Sequence, residues 1–194
     1  MAEIIVTEFV SLDGVMEDPG GAEDFKYGGW TFEISRGDEG DQFKLEETLN
    51  TDALLLGRVT YEGFAASWPS REGEFADKFN ALPKHVVSST LRSPEWNNTT
   101  VLDGDVVGSV SRLRDELTGN IVVHGSGRLV EALLEHDLVD ELRLMVFPVV
   151  LGSGKRLFGE TNDKKRLHLV DSQMVGDGVL ILVYRRSRER AEAR

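Results

Sequence analysis

Three short stretches carry residue types suited to holding an anion: Gly57-Arg58-Val59-Thr60, Ser88-Ser89-Thr90 and Gly125-Ser126-Gly127-Arg128. Glycine lets an anion approach the backbone closely, hydroxyls donate to its oxygens, and a guanidinium fork donates two bonds at once. Each stretch stands where an apolar run stops and a polar turn begins. A helix starting there, at Gly127 for example, presents N–H groups that lack internal partners and carry partial positive charge. Gly125, Ser126, Gly127, Arg128 and Leu129 then open one such helix, and Gly57, Arg58 and Thr60 open another. Together the three junctions point to one extended, phosphate-bearing ligand. None matches a full fingerprint alone: G-x-G-x-x-G fails at Val130, and the P-loop lysine is absent.

The elements that must position these residues are legible in outline. Apolar runs predict strands at residues 4–10, 52–56, 85–88, 99–102, 121–124 and 142–151, and at 166–174 and 179–184. The last two flank Val175-Gly176-Asp177-Gly178, a hairpin turn by composition. Val106, Val110, Leu113 and Leu117 step by four, three and four, giving the clearest helix, with Asp103 or Asp105 placed to cap it. Residues 38–50 read as an acidic, moderately helical stretch, and 19–30 as a glycine-rich loop ending in aromatics. Strands alternating with helices and closing on a hairpin predict an α/β domain, a mostly parallel sheet with an antiparallel edge. In such a sheet the junctions collect at the carboxyl ends of the strands, where ligands bind.

Composition narrows the classes. The 194 residues suit one domain, read as 1–186, followed by a basic tail, 187–194, expected to be disordered. There is no cysteine, and the four histidines lack ligand spacing, so no metal site is expected. A net charge of −12 argues against nucleic acid as a partner, and no apolar run is long enough to span a membrane. A cytoplasmic protein acting on a small molecule is the expectation. A short-chain dehydrogenase is disfavoured because no Tyr-x-x-x-Lys pair follows a suitable serine.

An ordered set of motifs carries a resemblance across residues 3 to 186. It comprises Ser11-Leu12-Asp13-Gly14, Leu56-Gly57-Arg58-Val59-Thr60-Tyr61-Glu62, Lys84-His85-Val86-Val87-Ser88, Gly125-Ser126-Gly127, and Asp140-Glu141-Leu142 through Pro148-Val149-Val150-Leu151-Gly152-Ser153-Gly154. The chain resembles the RibD C-terminal domain family, the riboflavin-biosynthesis reductases of dihydrofolate-reductase-like fold. The resemblance implies a three-layer α/β fold and an NADPH-dependent reductase similar to 5-amino-6-(5-phosphoribosylamino)uracil reductase, passing hydride to a heterocyclic or sugar-like molecule.

By position, the resemblance puts Gly57, Arg58 and Thr60 on the pyrophosphate or adenosine half of NADPH, and Ser88, Ser89 and Thr90 beside the 2′-phosphate and adenine. Arg92 is a second candidate cation. The nicotinamide would lie near the first strand and Pro148–Gly152, facing a substrate bounded by Asp13, Trp30, Phe32 and Phe64. Asp13 is the catalytic candidate, to orient substrate or relay a proton. Glu8 is the weaker alternative, expected to face solvent from a strand. His124 is expected to be a neutral packed group, and Asp140 and Glu141 to pair structurally. A homodimer is implied, through the 142–151 strand or the terminal hairpin. The deaminase centre of the bifunctional riboflavin enzymes is excluded for want of cysteine. The turn is Gly-Ser-Gly rather than the Gly-Gly of dihydrofolate reductases, and no acid in residues 38–50 is assigned to a pteridine. A non-catalytic dinucleotide-binding module using the same cleft is the alternative.

Overall fold

The computed structural model describes residues 1–187, so the basic tail predicted at 187–194 lies almost wholly outside the described residues. Eight strands form one sheet: β1 Glu3–Ser11, β2 Ala53–Gly57, β3 Lys84–Val87, β4 Thr99–Leu102, β5 Asn120–His124, β6 Glu141–Phe147, β7 Leu167–Val175 and β8 Val179–Arg186. Their order is β4-β3-β2-β5-β1-β6-β8-β7. The first six in that order run parallel, and β8 and β7 add antiparallel. The dihydrofolate-reductase-like α/β architecture expected from the sequence is thus the one found.

Helices α1 Gly37–Leu49, α2 Arg58–Ser67, α3 Glu74–Ala81, α4 Val106–Glu116 and α5 Gly127–Glu135 form the outer layers. Val110 and Leu113 of α4 and Leu129, Val130 and Leu133 of α5 pack on Ile4, Val6, Leu55, Ile121 and Val123. On the other face, Tyr61 of α2 and Phe79 of α3 pack on Leu54, Leu56 and Val86. Covering both faces is why β2 and β5 read as unbroken apolar runs. Each fully buried aliphatic side chain contributes about 1.5–3 kcal/mol, so this double coverage is what anchors the strand ends.

Four local expectations change. Asp105 holds the N-cap position of α4, but its side chain makes no capping bond, and Asp103 Oδ1 accepts from Gly104 N–H instead. The strand predicted at 142–151 stops at Phe147, because Pro148 has no N–H for the ladder and Gly152 turns left-handed at φ 74°. Helix α3 and a 3-10 turn at Trp30–Glu33 were not foreseen. Finally, β6 lies between β1 and β8 and presents no edge, whereas β7 ends the sheet. The hairpin tip docks on the start of α1, where Asp177 N–H donates to Ser35 O at 2.7 Å. A Cβ on Gly176 would lie 2.2 Å from that same carbonyl oxygen, so only glycine fits.

Candidate functional site

Strands β2 and β5 are parallel neighbours, so their carboxyl-end turns meet. Gly57 N–H donates to Ser126 Oγ at 2.8 Å, Ser126 N–H donates to Thr60 Oγ1 at 2.9 Å, and Ser126 Oγ donates to His124 O at 3.0 Å. Gly125 and Ser126 both take left-handed conformations, φ 56° and 62°. That geometry aims the turn so that Leu129 and Val130 N–H both close on Ser126 O, at 2.7 and 3.0 Å. Among the described residues, neither Gly127 N–H nor Arg128 N–H meets an acceptor. Two unspent amides at a helix start make an anion cradle.

The third junction adjoins this one, since β3 pairs with β2. Ser88 Oγ accepts from Thr90 and Leu91 N–H at 3.1 and 2.9 Å, shaping the loop and leaving Ser89 and Thr90 exposed. Arg92 reaches back to Ser89 O at 2.9 Å and lies 3.8 Å from Asp103. Arg58 is exposed and paired with Glu62 at 2.8 Å one helical turn along. Leu129 differs from expectation: its side chain is 6% exposed in the core, so the residue serves the cradle only by closing the turn.

At the far end of β1, Asp13 ties two loops together. Its carboxylate accepts from Ser11 Oγ at 2.7 Å, Leu151 N–H at 3.1 Å and Gly152 N–H at 3.0 Å, with Arg156 3.6 Å away. The Ser11 hydroxyl first, and then the two amides, outweigh burial and hold its pKa at about 2. These contacts let Asp13 hold the 148–152 segment in place beside the end of β1. Pro148 and Gly152 themselves are exposed.

The aromatic wall is also rearranged. Trp30 is 1% exposed, with Nε1 donating to Glu17 O and its ring edge-on to Phe147 at 5.4 Å; it belongs to the core and offers no face to a ligand. Phe32 stands 80% exposed on the 3-10 turn. Phe64 is half-buried in α2, 6.2 Å from the His124 ring, and this ring does line the face under α1–α3.

A charged cluster that the sequence reading missed lies on that face. Thr7 pairs in register with His124 on one side and Arg143 on the other, a polar row across three strands. Above it, α1 buries Lys44 and Glu47, which form an ion pair. Lys44 Nζ also donates to Thr7 Oγ1 at 2.8 Å, and Thr7 Oγ1 donates to Glu47 Oε2 at 3.0 Å. Burial pushes the Glu47 carboxyl up, but Lys44 foremost outweighs it and leaves the group below its ordinary value. His124 is pushed down to about 3 by burial and by Lys44, so it is neutral, as expected. A cavity of about 450 Å³ opens between α1 and α3, lined by Lys44, Arg36, Asp41, Gln42, Glu74 and Phe75. The readable trace of the cluster was the three-residue spacing of Lys44 and Glu47 on one helix face.

Glu8 also departs from expectation. It is 7% exposed rather than solvent-facing, and Oε1 meets no hydrogen-bond partner. Burial raises its pKa well above the ordinary carboxylate range. Asp140 and Glu141 pair structurally as expected: Asp140 with Arg114 at 2.8 Å, Glu141 with Arg143 at 2.6 Å and Arg185 at 2.7 Å. Among the described residues no group of His, Asp and Glu is arranged to hold a metal, and no helix is long and apolar enough to cross a membrane.

The sheet order and this cleft define an α/β protein of the dihydrofolate-reductase-like class. It is similar to dihydrofolate reductase from Enterococcus faecalis complexed with NADP(H), at 16% identity and TM-score 0.58, covering 95% of this chain and 96% of that one. It is also similar to a Shewanella sp. PV-4 protein provisionally named for riboflavin biosynthesis, at 24% identity and TM-score 0.78, covering 96% and 99%. Residues 2–181 match the RibD C-terminal domain, and the chain belongs to that family. Among sequence relatives, the uncharacterized protein YwjB of Bacillus subtilis (strain 168) is 30% identical over 170 residues, 88% of this chain and 90% of its own.

Proposed function

We propose that the protein is an NADPH-dependent reductase of a small heterocyclic or sugar-like acceptor, acting in the cytoplasm. The observation that carries this reading is the Gly57–Ser126–Thr60 stitch, which fuses two strand-to-helix turns and leaves Gly127 and Arg128 N–H unspent. Those amides hold the pyrophosphate, with Gly57 and Thr60 shaping the wall beside it. Ser88, Ser89 and Thr90 take the adenosine half, and Arg92, fixed to Ser89 O, meets the 2′-phosphate together with Arg58 once it leaves Glu62. The reduced nicotinamide supplies the hydride. The acceptor lies under α1–α3 against Phe64 and His124, with residues 148–152 oriented by Asp13.

Family membership and a fold shared with a reductase complexed with NADP(H) support the reading. Calorimetry with NADPH and NADH tests it, followed by NADPH oxidation with pteridine, quinone and pyrimidine-type acceptors. Preferential NADPH uptake with turnover is the expected result. Uptake without turnover on any acceptor points instead to a dinucleotide-binding module, and no uptake refutes both. We also propose that two copies pair along β7, an edge strand exposing Leu169, Val170 and Met174.

A further inference from the structure

We propose that Lys44 is the acid that completes reduction, with Glu47 and Thr7 as its positioning residues; this rests on the reductase reading above. An ammonium carries three donors. Lys44 spends one on Glu47 and one on Thr7, and the third meets no acceptor among the described residues. Lys44 is also among the residues lining the cavity between α1 and α3, on the same face of the sheet as the acceptor placed above.

Packing gives a second argument. Lys44 and Glu47 are 7% and 4% exposed, and Glu47 Oε1 has no hydrogen-bond partner, with Arg143 3.6 Å away. A buried ion pair is a poor stabiliser, because desolvating two charges offsets most of their attraction, and apolar side chains of equal volume serve a core as well or better. Under-satisfied charge beneath α1 is what a site that must donate to a ligand requires. The surroundings also keep the ammonium dry and oriented: the Phe9 ring lies 5.4 Å from Nζ, and Phe75 lines the same cavity. Of the other titratable groups, burial keeps His124 neutral and Asp13 is spent on Ser11, Leu151 and Gly152, while Glu8, buried with Oε1 unpartnered, is the rival donor.

The chemistry balances. An acceptor with a C=N or C=O bond takes hydride at carbon, and the π electron pair moves to nitrogen or oxygen. That atom takes a proton from Lys44 Nζ, the N–H bond breaking at lysine as the new N–H or O–H bond forms. The neutral amine left behind regains its proton from solvent. Thr7 and Glu47 hold Nζ in place throughout.

The test uses the whole protein with dihydrofolate, lumazine and menadione as acceptors. For Lys44→Ala, turnover on any acceptor the wild type reduces is expected to fall at least ~10²-fold, the usual share of a general acid. Affinity for oxidised NADP is expected to stay within about twofold, since Lys44 makes no hydrogen bond to the cradle turn. Added methylamine is expected to restore part of the rate, which a merely structural lysine would not allow. Because a lone Glu47 left in the interior can unfold the chain, Lys44→Met with Glu47→Gln is measured beside it, with thermal unfolding as the control. Persistent turnover in either variant overturns the Lys44 assignment alone, as does a loss of rate that amine leaves untouched. A wild type that binds NADPH yet reduces none of the three overturns the reductase reading and this assignment together.

Discussion

Replacing Gly125 with alanine tests the cradle at its tightest point. An added Cβ would meet Thr60 Oγ1 at 2.8 Å and Cγ2 at 3.1 Å, while the backbone sits at φ +56°. Holding an L-residue in that left-handed conformation costs about 1–2 kcal/mol. The cheapest escape from the contact rotates Thr60, which abandons the Ser126 N–H bond to Thr60 Oγ1 and costs about 1 kcal/mol more. The total is about 2–3 kcal/mol, or a fall in Tm of about 4–12 °C for a domain of this size. Because the rotated turn misdirects the Gly127 and Arg128 amides, NADPH affinity is expected to drop about tenfold, equivalent to about 1.4 kcal/mol.

A double-mutant cycle separates the two components. Thr60→Ala removes both close contacts and leaves only the Thr60 Cβ, 3.6 Å from the new methyl group, an ordinary separation. In that background Gly125→Ala is expected to cost only the conformational share, about 1–2 kcal/mol, so the cycle yields a coupling of about 1 kcal/mol. Thermal or urea unfolding of the four proteins measures it, with NADPH titration alongside. A coupling of zero, or a Gly125→Ala protein as stable as wild type, would refute the claim that the two turns are locked through Thr60.

Three further outcomes follow from the rest of the molecule. Trp30→Ala is expected to lose about 3–5 kcal/mol of stability as a core truncation, and a changed KM at unchanged Tm would return the residue to the substrate wall. Glu8 has a raised folded pKa, so its contribution is whole below its unfolded value of 4.5 and is lost as pH rises toward the folded value. Glu8→Gln is therefore expected to match wild type in Tm at about pH 4 and exceed it at about pH 8, and the opposite trend in a pH series of melts would contradict its burial. Val170→Lys with Met174→Lys on β7 is expected to convert a dimer to a monomer in light scattering after gel filtration, since charge on an edge strand blocks pairing; a wild-type monomer removes the proposal.

What the sequence disclosed and what it concealed have one physical origin. Leu54, Leu55 and Leu56, and Ile121, Val122 and Val123, announce covered strands because burial on both faces demands apolar side chains throughout. The glycines beside them announce turns because Gly125 must be left-handed against Thr60. Trp30 and Glu8 were misplaced for a simple reason: residue type fixes a preference for burial, while the chain path decides which side chain meets core and which meets solvent.

The charged floor was concealed for a deeper reason. Helix α1 buries Gly40, Lys44, Glu47 and Thr48, so its inward face carries almost no apolar signal. Those charges are tolerable inside only because Thr7, His124 and Arg143 arrive in register from three strands far apart in sequence. A pattern-based reading detects what burial favours; it is blind where burial is unfavourable and offset by distant partners. Such places concentrate at functional sites, where strain and charge are retained against stability. The part of α1 that looks least like a core-facing helix is therefore the part that carries the proposed acceptor chemistry.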